Sequence, residues 1–360
     1  MHAGSNTSNI SGPNTNISSL AFVAAIILGM AALLLVGYLA YLAGAGFVFR
    51  RLISLVITIA IASVIIFTLV EVAPGDPAEY MMGLNAEPEA LSALRSEMGL
   101  DKSTIQRYFS WIGGAVVGDF GASFTYQTPV AELLSERLQV SLPLALYALI
   151  LALIIAIPLG IVAARKRRTA LGGVITSGTQ MGIAMPNFWL AILLVLIFGS
   201  WLRWFPVGGF PGWEAGLAAG LHALTLPAIA LAIPQAAILV RIVRSALLDT
   251  ISEDYIRTAR AKGLSQDQVL KKHALRNAAI PVLTILGLQF SFLIAGGIII
   301  ENVFYLPGLG RLVFQAILQR DLIVVESVVL VLAFFTVTIA FVVDLAYAAV
   351  DPRLRKGELL

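Results

Sequence analysis

Hydrophobic positions in this chain come in long blocks, without strict alternation and without heptads. Charge-free runs cover residues 20–46, 52–70, 138–164, 169–202, 215–240, 277–300 and 327–343. About 20 apolar residues are needed to cross roughly 30 Å of hydrocarbon, so the pattern predicts seven transmembrane helices. The last run is short, but Leu322 to Val325 precede it across a single Glu326, which extends the predicted helix to 322–348.

The polar stretches between the runs differ from one another. Residues 73–138 hold two amphipathic patterns, Glu87 to Met98 and Pro129 to Leu138, and predict a small subdomain outside the bilayer. Arg203 to Leu221 is rich in Gly and Trp, which suits the headgroup level. Residues 249–276 are charged and lack proline. There Thr250 with Glu253, and Ser265 with Gln268, read as two capping boxes, while Lys262-Gly263 reads as a helix stop. The spacing predicts helices over 251–262 and 266–276, with Ile251, Tyr255 and Ala259 as an apolar strip on the first. Such a pair at a membrane face is a candidate docking knob for another protein.

Charge decides the orientation. Seventeen of the 24 Lys and Arg residues fall in Arg50-Arg51, Arg165 to Arg168, 241–276 and 353–356, while ten acids lie between Glu71 and Glu136. Short basic loops stay cytoplasmic, so the C-terminus is expected inside and the N-terminus outside. Residues 1–19 contain no Lys or Arg, which argues against a secretory signal and for an uncleaved N-out helix. Composition agrees: 59% of residues are hydrophobic and 12% charged, against about 25% charged in soluble domains. A soluble enzyme is excluded. The net charge of +3 gives no support for a nucleic-acid partner, and the absence of cysteine removes thiolate metal sites and cysteine nucleophiles. No Gly-Lys pair occurs, so the chain lacks the phosphate cradle of an ATP site.

Glu253 to Gly263, followed by His273-Ala274-Leu275-Arg276-Asn277, resembles the cytoplasmic coupling loop of ABC importer permeases, in the variant of the dipeptide/oligopeptide subfamily. Pro74-Gly75-Asp76-Pro77, Gly118 to Gly121, Met185 to Trp189, Phe205 to Gly209, Glu301 to Phe304 with Leu306 to Gly310, and Asp351-Pro352-Arg353 resemble that subfamily in order and spacing. The likeness covers residues 47–355. It implies an all-α polytopic membrane protein with the type I ABC importer transmembrane domain: six core helices plus one extra N-terminal helix and a small periplasmic subdomain. The expected division is 1–46 for the polar tail and extra helix and 47–72 for the first core helix. The periplasmic subdomain follows over 73–138, the core with coupling loop 249–276 over 139–348, and the tail over 349–360.

The resemblance further implies half of a translocation pathway for di- or oligopeptides across a bacterial inner membrane. Its partners would be a second homologous permease subunit, two cytoplasmic ATPase subunits that hold ATP and Mg, a periplasmic or lipid-anchored substrate-binding protein, and membrane lipid. The coupling residues would be Glu253, Tyr255, Ile256, Arg257, Thr258, Ala259, Arg260, Gly263, His273 and Arg276. No catalytic, cofactor or metal residue is expected. Gln180, Asn187, Gln235, Gln289 and Ser291 are the polar residues expected to line a pathway. Pro186, Pro227, Pro234 and Pro281 are expected to interrupt or open spans. Arg241 and Arg244 are candidate partners for Asp344 or Asp351. Glu301 and Glu326 are expected near the outer face as hydrated end-of-helix carboxylates, with contact to the binding protein or to a substrate amine as the alternative. A secondary transporter and a structural membrane subunit are the rival classes. Glutathione, opines, nickel chelates and oligosaccharides are the rival solutes.

Overall fold

The computed structural model describes residues 34–72, 77–82, 87–269 and 275–350, and among them it is all helix apart from turns and one isolated Ala122–Pro129 bridge. A ten-residue apolar helix α1 (Leu34–Ala43) leads through Gly44, at φ +88, into α2 (Ala45–Glu71). Short helices α3 (Pro77–Met82), α4 (Pro88–Glu97) and α5 (Thr104–Val116) follow, and then the long α6 (Val130–Arg165). The chain turns into α7 (Ala170–Ala184) and α8 (Asn187–Leu194), which ends in a π-helical turn over Val195–Trp201. After α9 (Leu217–Ser252) come the short α10 (Asp254–Ala261) and α11 (Gln266–Val269). The chain closes with α12 (Leu275–Val303), α13 (Leu309–Leu318) and α14 (Leu322–Val350).

Five of these helices, α2, α6, α9, α12 and α14, are long and apolar enough to cross a membrane. The bent pair α7–α8 makes a sixth if it crosses as one unit. Six crossings alternate in direction, which gathers Arg50-Arg51, Arg165 to Arg168 and α10–α11 at one end, hereafter the basic end. Helices α3 to α5, the 203–216 loop and α13 lie at the other end. Most of the expected extra span falls on residues 1–33, outside the described residues; its described part, α1, packs Val36, Leu39 and Ala43 on Leu345 and Ala348 of α14.

The core is built on α9, which is buried along most of its length and packs most extensively against α6. On α6 the buried residues Ala148, Ala152, Ala156, Gly160 and Ala164 recur every four positions, a stripe of small side chains that lets the two backbones approach. Gly160 shows how close: a Cβ there would sit 2.6 Å from the Cβ of Val243. Likewise a Cβ on Gly182 of α7 would sit 2.8 Å from that of Ala237. With no hydrophobic drive between helices in lipid, this dispersion contact is what holds the bundle.

Several expectations are corrected. Residues 129–138 are not a separate amphipathic helix but the first turns of α6, because nothing between Leu138 and Gln139 stops helical continuation. The expected subdomain boundary at 138 therefore lies inside a helix. Pro186, by contrast, interrupts its span as expected, the 169–202 run being broken at Met185-Pro186 with a bend of 101°. Proline has no N–H to donate and holds its predecessor in extended backbone; Met185 sits at φ −76, ψ 123. Pro227, Pro234 and Pro281 do not interrupt their helices, since one lost hydrogen bond is tolerated inside a packed membrane helix. Asp344 pairs at 3.3 Å with Arg51 of α2, not with Arg241 or Arg244, because α2 lies beside α14; Asp351 lies outside the described residues.

Candidate functional site

At the basic end α9 runs beyond the bundle to Ser252 and then kinks at Glu253, whose backbone is extended at φ −66, ψ 147. The helix expected to start at Ile251 starts instead at Asp254. The Thr250–Glu253 box does not form, because Thr250 is still inside α9 and its hydroxyl donates to the Ala246 carbonyl at 2.7 Å. The Ser265–Gln268 box does form: the Gln268 N–H donates to the Ser265 hydroxyl and the Ser265 N–H to Gln268 Oε1 at 2.9 Å. Between the two short helices Gly263 adopts φ +88 with open space where a Cβ would be. Backbone conformation, not crowding, is the reason for glycine there.

The two helices share a small core of their own. Ile256 and Ala259 are buried against Val269, with Leu264 packed alongside. The inward strip is thus Ile256–Ala259, and Ile251 belongs to the α6–α9 packing above it. Tyr255 remains 41% exposed, with its hydroxyl accepting a 2.6 Å hydrogen bond from Asn277 Nδ2 at the start of α12. Glu253, Arg257 and Thr258 are exposed; Arg257 meets Asp254 at 3.4 Å, a pair in water that adds little to stability. Arg260 lies in α10 and Arg276 in the first turn of α12, while His273 lies outside the described residues. The unit is thus joined to α9 through Glu253 and to α12 through the Tyr255–Asn277 hydrogen bond, and presents a polar, partly aromatic outer face.

The expected pathway residues do not converge on one cavity in the isolated chain. Gln180 is exposed on α7; Asn187, at the α7–α8 bend, packs its amide on Gly296 of α12. Gln235 and Gln289 are buried within α9 and α12, each with Oε1 lacking a partner. Ser291 returns its hydroxyl to the Gly287 carbonyl.

Sequence reasoning missed the organisation of the opposite end. Glu301 is not hydrated: it is 2% exposed, and its carboxylate accepts from the Ser141 hydroxyl and from the backbone N–H groups of Gly310 (2.7 Å) and Arg311 (3.2 Å). One side chain thereby ties α6, α12 and the N-terminus of α13, where an anion suits the free N–H groups. Gly310 makes room, since a Cβ there would lie 2.4 Å from Ile298 Cα. Gly208 and Gly209 close on the same corner, the Gly209 N–H donating to the Phe304 carbonyl at 2.8 Å. Asp321 does similar work nearby: it caps α14 and accepts from the Ser123 hydroxyl and the Thr125 N–H. The signal available in the sequence was a Glu followed nine residues later by the second glycine of Pro-Gly-Leu-Gly.

Residues 156–356 match the family model described as the binding-protein-dependent transport system inner membrane component, and residues 44–145 match the N-terminal model for such membrane components. The chain belongs to this permease family. A Brucella abortus protein named as a peptide transport system permease is 41% identical over 308 residues, covering 86% of this chain and 98% of the relative. The glutathione transport system permease protein GsiC of Escherichia coli K12 is 38% identical over 309 residues, covering 86% and 98%. A Sinorhizobium fredii protein named as a peptide ABC transporter permease is 36% identical over 309 residues, covering 86% and 99%. Among solved structures, an inward-facing MetNI methionine ABC transporter chain superposes with a TM-score of 0.52 at 18% identity, covering 61% of this chain and 96% of that one. The permease fold is therefore that of ABC importer membrane subunits, and the chain is an integral protein of the inner membrane.

Proposed function

We propose that this permease forms half of a translocation pathway for di- or oligopeptides, paired with a second homologous permease subunit and powered by two ATPase subunits that supply ATP and Mg. A periplasmic or lipid-anchored binding protein delivers the solute. The names of the Brucella and Sinorhizobium relatives favour peptides, and glutathione, itself a tripeptide, stays within that chemical class.

The observation that carries the coupling role is the α10–α11 unit: two short helices with their own core, held by α9 and α12, with an outer face of Glu253, Tyr255, Arg257 and Thr258. This face sits at the basic end, and the positive-inside rule supports a cytoplasmic side for it. In this reading Glu253, Tyr255, Arg257, Thr258, Arg260 and Gly263 present or shape the docking surface, Ile256 and Ala259 stiffen it, and His273 and Arg276 complete its return to α12. The pathway itself is the interface with the second permease, to which Gln180, Asn187 and Ser291 contribute, with Gln235 and Gln289 buried behind it.

The test is uptake of a labelled dipeptide and of glutathione into proteoliposomes holding the two permeases, the ATPases and the binding protein. ATP-dependent uptake of either that is abolished by omitting this chain supports the reading. Co-purification without any ATPase would sink it.

A further inference from the structure

A cavity of about 260 Å³ opens at the outer end of the bundle, where α2, α5, the 119–124 loop and the start of α14 meet. Four aromatic side chains, Phe67, Trp111, Phe120 and Phe124, line it together with aliphatic, charged and glycine residues. Glu326 of α14 lines it and is only 6% exposed, and among the described residues its carboxylate has no hydrogen-bond or ion-pair partner. No protein donor among them offsets its charge there.

The nearest cation does not answer it. Arg107, also in the wall, gives its Nη1 to both oxygens of Glu71 at 2.9 Å, and Thr104 donates to the same carboxylate. Arg107 is thereby committed to Glu71, and both act on Glu326 only at a distance. Lys102 stands exposed at the mouth, and Asp119 engages the Gly121 N–H. Among Lys102, Arg107, Asp119, Glu326 and Glu71, the acids outnumber the bases by one. A second unmet group, Trp111 Nε1, is buried in the same wall without an acceptor.

We propose that this cavity binds a small primary ammonium ion, its charge held by Glu326 and its body enclosed by Phe67, Trp111, Phe120 and Phe124. A carboxylate in an aromatic box suits this ligand, because the ring faces attract the cation that the acid neutralises. A free amine and the ethanolamine headgroup of a lipid carry the same chemistry, and the cavity lies where either can reach it. Occupation would join α2, α5 and α14 through one ligand. The site does not depend on which solute the permease carries.

The experiment uses the full chain, with whatever subunits accompany it, in nanodiscs of phosphatidylglycerol, titrated with ethylammonium and followed by saturation-transfer NMR. Saturable binding to the wild type is expected, weakened at least tenfold in Glu326→Gln, with no saturable binding of the neutral alcohol n-propanol. The wild-type comparison of ethylammonium with n-propanol decides the matter even if Glu326→Gln fails to fold. Repeating it in phosphatidylethanolamine nanodiscs distinguishes the sources: blocked binding identifies the headgroup as occupant, and unchanged binding identifies a free amine. Binding that does not saturate, is equal for n-propanol, or is unchanged in a folded Glu326→Gln protein overturns the proposal.

Discussion

Gly263 and Glu301 are single residues on which whole junctions depend, for opposite reasons. Gly263 has free space around it and φ +88, so a side chain costs conformational strain and no collision. A β-branched residue there costs about 1–2 kcal/mol. Gly263→Val is expected to insert normally while co-purifying less ATPase, whereas Gly263→Asn, which tolerates the left-handed region, keeps the association. Glu301 is crowded: its removal strands the Ser141 hydroxyl and two N–H groups of α13. At about 1–3 kcal/mol for each buried orphan, Glu301→Ala is expected to lose at least ~3 kcal/mol. Its thermal unfolding midpoint in detergent should fall well below that of Glu301→Gln, which keeps an acceptor oxygen. Equal midpoints would refute the stapling role.

At the scale of elements, the close approaches predict where bulk is intolerable. Gly160→Leu would drive a side chain into Val243 at the tightest point between α6 and α9, and overpacking of this kind costs about 1–3 kcal/mol. Expression in the membrane and unfolding temperature should both drop, while Gly173→Leu, at an open position on α7, leaves them unchanged. The same elements explain what could be read from the chain beforehand. Long apolar runs located α2, α6, α9, α12 and α14, because crossing the bilayer demands length whatever the helix packs against. The helix stop at Gly263 and the Ser265 box were legible because both are local. Thr250 misled because a Thr three residues before a Glu looks the same inside a helix as at its start, and only the tertiary packing of α9 decides. The Glu301 staple and the Asp321 cap join residues 160 and 198 positions apart in the chain, a distance no local pattern reaches. Short α5 and α13 were likewise invisible, their apolar faces being set by what they cover.

For the molecule as a whole, the orientation is directly accessible, since the chain contains no cysteine and any introduced one reports without background. Arg257→Cys is expected to react with a membrane-impermeant maleimide only in inverted vesicles, and Glu89→Cys only in right-side-out cells. Labelling of both from the same side would undo the topology. The length of α9 bears on how the two sides communicate. Its 36 residues make a rod of about 54 Å, against roughly 30 Å of hydrocarbon, and the excess carries α10. A stiff rod packed on α6 along most of its length moves as one piece. Each degree of tilt about its centre displaces either end by about 0.5 Å, so a small push at the basic end becomes a shift of helix ends at the other without any helix unfolding.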